Sequence, residues 1–273
     1  MISTILTASD GSEASAAAER FAVGLARRTR ARLIGISVVE DRLARGFKED
    51  GLGVAPPPAE AVAAYLKGRA EAACRRIAEQ ARAEGVEVQC ETAQGIADDL
   101  VVARGQQADL LVVGRDGQHK DYRTGLIGST VNGVIRKTAK SALVVPEGAT
   151  LGGPIVLGFD GSPGSRLAAA LAVELATKLA EAVHVFVDSK DKGRASARFD
   201  EVRGLVGSLP VPVRETSSTL GRPDVKLVDS ARELRAGLIV MGAFGRNRIT
   251  EYFLGSNSAA VVRSSPIAVL VAR

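Results

Sequence analysis

The sequence predicts an α/β protein of two tandem doubly wound domains, each a mostly parallel five-stranded sheet flanked by helices. Three observations carry that prediction. Short apolar, β-branched segments alternate with helical segments along the chain, the pattern of a parallel sheet covered on both faces. The same order of segments occurs twice. Aromatic residues make up only 4% of the chain, with no Trp, against 46% hydrophobic residues. The core must therefore be built from Ala, Val, Leu and Ile, which suits helices packed on a sheet better than an aromatic-rich barrel. A length of 273 residues, at roughly 150 per domain, also gives two domains.

The repeat is explicit. ISTILTASDGS (2–12) matches PIVLGFDGS (154–162), DLLVVGRDG (109–117) matches GLIVMGAFG (237–245), and LIGSTVNGVIRKTAKSALVVP (126–146) matches FLGSNSAAVVRSSPIAVLVAR (253–273). Self-similarity on this scale reads as duplication of one domain. Asp10 and Asp160 lie 150 residues apart, but Gly114 and Gly242 only 128, so the first half carries 22 extra residues between these landmarks. Most of the excess falls in 41–58, DRLARGFKEDGLGVAPPP, an insertion rich in Gly and Pro. The boundary falls in EGATLGGP (147–154), giving domains 1–148 and 153–273.

Within the first half, STILTAS is a buried strand, and the helix that follows is N-capped by Ser12. RLIGISVV is the second strand. After the insertion, 59–85 reads as one long helix ended by Gly85. VEVQCET, IADDLVVARGQ, DLLVVG, STVNGVIRKTA and ALVVP complete strand three, helix three, strand four, helix four and strand five. The second half runs IVLGF, SRLAAALAVELATKLA, AVHVFVD, SARFDEVRGLVGS, VPVRET, PDVKLVDSARELR, LIVMG, SNSAAVVRS and IAVLV in the same order.

Composition narrows the function. Apolar runs are far shorter than the ~20 residues that span a bilayer, and the N-terminus has neither basic nor long apolar character, so no membrane contact or signal peptide is expected. A net charge of +5 is too diffuse to imply a specific nucleic-acid partner. Arg27, Arg28, Arg30 and Arg32 read as a solvated helix end. Cys74 and Cys90 make neither a disulfide framework nor a four-ligand zinc site, and read as two small thiols in a reducing compartment. His119 falls in a loop and His184 inside a strand, so no metal site is expected. No G-x4-G-K-[ST], no G-x-G-x-x-G after strand one and no G-x-S-x-G occur.

On doubly wound sheets, ligands bind at the carboxyl ends of the strands where strand order switches. After strand one stands Asp-Gly-Ser in both halves, at Asp10 and Asp160, each a carboxylate able to accept from a ligand and equally an ordinary capping turn. After strand four the second half has Gly242 and Gly245, then nine residues, then Gly255-Ser256 opening a helix. The glycines allow close backbone approach. The helix start presents unpaired N–H groups to an anion, and Arg246 and Arg248 add charge. The first half has Gly114 and Gly117, then ten residues, then Gly128-Ser129.

On these residues the sequence resembles the universal stress protein family in its tandem form, whose nucleotide motif is G-x2-G-x9-G-[ST] preceded by an acidic residue after strand one. The second half matches the motif. The first half departs by one residue in spacing and carries Gln118 where a basic residue is usual. The resemblance implies that Asp160 with a backbone position near Phe186, and Asp10 with one near Val38, hold the nucleoside. Gly242, Gly245, Arg246, Gly255, Ser256 and Asn257, and in the first half Gly114, Gly117, Gly128, Ser129 and Thr130, would hold ribose and phosphates. It further implies a cytoplasmic stress-response protein binding ATP, alone or with Mg2+, as a regulatory ligand that changes conformation or the choice of a protein partner. The halves would pack as a pseudo-dimer through their final strands, with a homodimer as a further assembly. Two alternatives stay open. One is slow ATP hydrolysis or phosphotransfer with Ser256 or Ser129 as acceptor; the other is a nucleotide-free interaction module.

Overall fold

The computed structural model describes residues 1–40, 58–117, 128–207, 212–219, 221–243 and 255–273. The first half comprises β1 (Thr4–Ser9), α1 (Glu13–Thr29), β2 (Arg32–Glu40), α2 (Ala59–Ala83), β3 (Val88–Gly95), α3 (Ala97–Gly105), β4 (Leu110–Gly114), α4 (Ser129–Lys137) and β5 (Ser141–Val145). The second comprises β6 (Ile155–Gly158), α5 (Pro163–Leu179), β7 (Val183–Asp188), α6 (Lys192–Val206), β8 (Val213–Ser218), α7 (Pro223–Glu233), β9 (Leu238–Gly242), α8 (Ser256–Ser264) and β10 (Ala268–Ala272). All but one of the insertion residues, 41–57, lie outside the described residues, as do 118–127 with His119 and 244–254 with Gly245, Arg246 and Arg248.

The ten strands form one sheet in the order β3-β2-β1-β4-β5-β10-β9-β6-β7-β8. Each half is a parallel five-stranded sheet, and the two meet at the antiparallel pair β5–β10, with Leu143 opposite Leu270. The expected joint through the final strands is therefore a continuous ladder. Fully buried aliphatic side chains line both faces. On one, Phe21 from α1, Ile77 from α2, Ala172 from α5 and Val202 from α6 cover the sheet. On the other, Val101 from α3, Val134 from α4, Leu227 from α7 and Val261 from α8 do so.

Arginines strengthen the joint. Arg273, at the end of the second half, donates to the carbonyls of Thr138 (2.8 Å) and Ile135 (2.7 Å), at the C-terminal end of α4 in the first half. Arg115, just after β4, donates to those of Ser265 (2.6 Å) and Arg263 (3.3 Å), at the C-terminal end of α8. A cation on the last carbonyls suits the negative end of each helix dipole.

Capping explains where several elements begin. Ser12 and Ser162 accept from the N–H of Ser15 and Ser165, both at 3.2 Å, as their position before α1 and α5 predicts. One boundary differs from the sequence reading: α6 begins at Lys192 rather than near Ser196, because Asp191 accepts from the N–H groups of Gly193 (2.9 Å) and Arg194 (3.2 Å) and so starts the helix earlier. His184 is buried in β7, and burial, with Arg214 nearby, pushes its pKa below the ordinary histidine value.

A buried ionic cluster distinguishes the first half. Glu19 is fully buried on α1. Its carboxylate accepts from Arg76 Nε at 2.6 Å and Nη2 at 2.5 Å, from Ser9 Oγ, and from Ser15 Oγ at 3.4 Å. This clamps α1 and α2 onto the end of β1. The matching positions in the second half, Phe159 for Ser9 and Ala169 for Glu19, are apolar.

Candidate functional site

Strand order reverses between β1 and β4 in the first half and between β6 and β9 in the second. Each βαβ crossover leaves a crevice at these points, beyond the carboxyl ends of the strands. In the second half the crevice is a cavity of about 540 Å³, within the range of small-molecule sites. Asp160, Phe186, Gly242, Gly255, Ser256 and Asn257 all line it. Six of the eight sequence-predicted residues of this half thus come together, and the other two, Gly245 and Arg246, lie outside the described residues.

Two kinds of surface line the cavity. Phe159, Phe186, Leu227 and Met241 are apolar. The start of helix α8 lines it too. Its N-cap is Gly255, with no side-chain cap, and the Gly255 N–H itself donates to Ala243 O at 2.9 Å. The N–H groups of Ser256, Asn257 and Ser258 follow in the first turn, where no intrahelical acceptor exists. Ser258 Oγ donates to Gly242 O at 3.0 Å and ties this turn to the end of β9. The contrast with α1 and α5 is physical: those helices begin with a serine that satisfies an N–H internally, whereas α8 begins with a glycine that leaves its first turn for an external acceptor. A phosphate group meets that need.

Asp160 lines the same cavity. Its Oδ1 accepts from Ser162 N at 2.9 Å, in a turn whose Gly161 has φ +76°. Packing also requires a glycine at 242. A Cβ there would sit 2.6 Å from Gly164 C and 2.8 Å from Ser165 N, so the glycine is required by the first turn of α5. Phe186 lies inside β7. β7 continues two residues beyond it, and the Phe186 carbonyl already accepts from Phe159 N at 2.9 Å. The next carbonyl on that side, Asp188 O, accepts from Arg198 Nη1 at 3.3 Å. Asp188, Arg198 and Asp224, which line the cavity, were not found by sequence reasoning. Arg198 carried no signal, since a buried arginine inside a helix looks like any solvated one.

The first half is arranged alike but covered differently. Asp10 Oδ1 accepts from Ser12 N (2.9 Å) and Ser12 Oγ (2.5 Å). Gly128 is the uncapped N-cap of α4, its N–H donating to Arg115 O at 3.3 Å, and Ser129 and Thr130 follow in the first turn. Gly114 ends β4, and Val38 lies in β2 opposite Ala93. One contact covers the Asp10 turn: Arg69 on α2 donates to Asp10 O at 2.6 Å. α2 has 25 residues against 15 in its counterpart α6.

Comparisons with known proteins agree with this fold. The family model described as the universal stress protein family matches residues 1–146 and 153–273. Universal stress protein Rv2005c of Mycobacterium tuberculosis is 30% identical over 198 residues, covering 63% of this chain and 64% of the relative. Universal stress protein Slr1230 of Synechocystis is 24% identical over 212 residues, covering 74% and 70%. The chain thus spans a little under two thirds of the Mycobacterium relative. Among solved structures, a universal stress protein from Archaeoglobus fulgidus superposes with a TM-score of 0.78 at 18% identity, over 99% of this chain and 98% of that one.

Proposed function

Because the chain belongs to the universal stress protein family, we propose that it is a cytoplasmic adenine-nucleotide-binding protein in which bound ATP regulates conformation or partner choice. One observation carries the reading. The second-half cavity brings together apolar side chains, a carboxylate at Asp160 and an uncapped helix start, the three kinds of surface that a base, a ribose and a phosphate chain require. Phe186 and Leu227 would bound the base. Asp160 would accept from ribose or base N–H and O–H groups. The N–H groups of Ser256, Asn257 and Ser258 would take the phosphates. Mg2+ would enter with the phosphate chain as Mg–ATP.

The two halves should differ in affinity. The first departs from the motif spacing and has Arg69 donating to the carbonyl of the Asp10 turn. Titration calorimetry of the whole protein with Mg–ATP, ADP and AMP, repeated on Gly255→Glu and Gly128→Glu variants, tests this. The second site is expected to bind ATP at least about tenfold more tightly, a difference of 1.4 kcal/mol. Equal sites, or a tighter first site, contradict the argument from spacing and coverage. No heat and no saturation with any of the three nucleotides contradicts the nucleotide reading itself.

A further inference from the structure

The two cysteines come from segments 16 residues apart and meet under one helix face. Cys90 lies on β3, in register with Gly35 of β2. A Cβ at position 35 would lie 2.5 Å from the Cys90 sulfur and 3.3 Å from Ile77 Cγ2. The Cys90 sulfur therefore occupies the space that Gly35 leaves vacant beneath α2, against the face that carries Ile77. Cys74 stands on that face three residues before Ile77, and its sulfur donates to Glu91 O at 3.1 Å, the carbonyl of the residue next to Cys90. Both are free thiols. The pair has no counterpart in the second half, where Val185 and Glu215 fill the positions of Gly35 and Cys90.

We propose that Cys74 and Cys90 are a peroxide-responsive dithiol, whose oxidation closes a disulfide between α2 and the edge strand β3. The Cys90 thiol's hydrogen bond holds Cys74 below the ordinary thiol range and, together with burial, pushes Cys90 up. In the proposed step Cys74 gives the thiolate, the form that reacts. Its thiolate attacks one oxygen of a hydroperoxide. The O–O bond breaks, the alcohol or water leaves with the proton, and Cys74 becomes a sulfenic acid. The Cys90 sulfur then attacks that sulfur. The S–S bond forms, the S–O bond breaks, and hydroxide leaves as water with the Cys90 proton. Two thiols and one hydroperoxide give a disulfide, an alcohol or water, and a second water. Transient disulfides of this type are the ones expected in reducing compartments.

The bond would fix the helix that reaches the first-half site. Arg69 and Arg76 on α2 contact the Asp10 and Ser12 carbonyls, so cross-linking α2 to β3 restrains the turn on which that site is built. This inference stands apart from nucleotide binding.

Hydrogen peroxide treatment of the purified, reduced protein tests it, with denaturing acid quench, alkylation and intact and peptide mass spectrometry. Alkylatable thiols are expected to fall from two to none, with loss of two hydrogens from the chain. The peptides carrying Cys74 and Cys90 should be joined, and a thiol reductant should reverse the change. Cys74→Ser and Cys90→Ser variants that keep the wild-type circular dichroism should each lose the cross-link. Both thiols remaining free, added oxygens without a cross-link, or a disulfide between two chains would each overturn the proposal.

Discussion

Glu19→Ala is expected to lower stability by about 3 kcal/mol, at the lower end of the cost of breaking a buried pair. The carboxylate is fully buried and serves the Arg76 guanidinium and the hydroxyls of Ser9 and Ser15. Removing it leaves those donors facing each other. The Arg76 side chain keeps 35% of its exposure, so water recovers part of the guanidinium's loss; this sets the lower figure. For a chain this size, 3 kcal/mol is a fall of roughly 6–12 °C in Tm. Urea unfolding should show a lower midpoint at unchanged slope. The paired substitution Glu19→Leu with Arg76→Leu should recover most of the loss, because well-packed apolar residues often replace a buried pair at little cost. A single-variant cost below about 1 kcal/mol, the ordinary value of an exposed ion pair, would mean that the cluster does not clamp α1 and α2 to β1.

Gly255→Glu is expected to weaken ATP binding about 100-fold, or 2.7 kcal/mol. Gly255 has φ −57° and ψ 149°, a conformation open to any residue, so the fold should persist. The new carboxylate would sit at the N-terminus of α8 and take the N–H groups assigned to phosphate, while repelling the phosphate itself. At a ligand concentration about 100 times Kd, ATP should stabilise the wild-type protein by about 2.7 kcal/mol. The variant should lose most of that thermal shift and keep a cooperative melt. Wild-type affinity in the variant would move the phosphate site away from α8.

The fold was legible because each strand is a short apolar run bounded by turn residues, and because the chain states its pattern twice. Duplicated landmarks such as Asp10 with Asp160 fixed the register of the two halves. The antiparallel joint of β5 and β10 has no such signal and came only with the family resemblance, since ALVVP and IAVLV look like any buried strand. The candidate site was legible where spacing carries it: Gly255 opens α8 as expected. Spacing could not show that Gly242 also serves the packing of the first turn of α5. Nor could it show that sheet pairing takes the Phe186 carbonyl within β7. The Glu19–Arg76 pair was invisible because its members are 57 residues apart, and nothing local marks a helical Glu as buried.

In the proposed function the second-half cavity holds an adenine nucleotide with its phosphates on the start of α8. Peptide-resolved hydrogen exchange of the whole protein, with and without saturating Mg–ATP, is the deciding measurement. Exchange of the amides of Ser256, Asn257 and Ser258 and of the segment 158–162 should slow, with weaker change at 128–131. Saturating ATP that leaves 255–261 and 158–162 unchanged, or protects only the first half, would contradict the proposal.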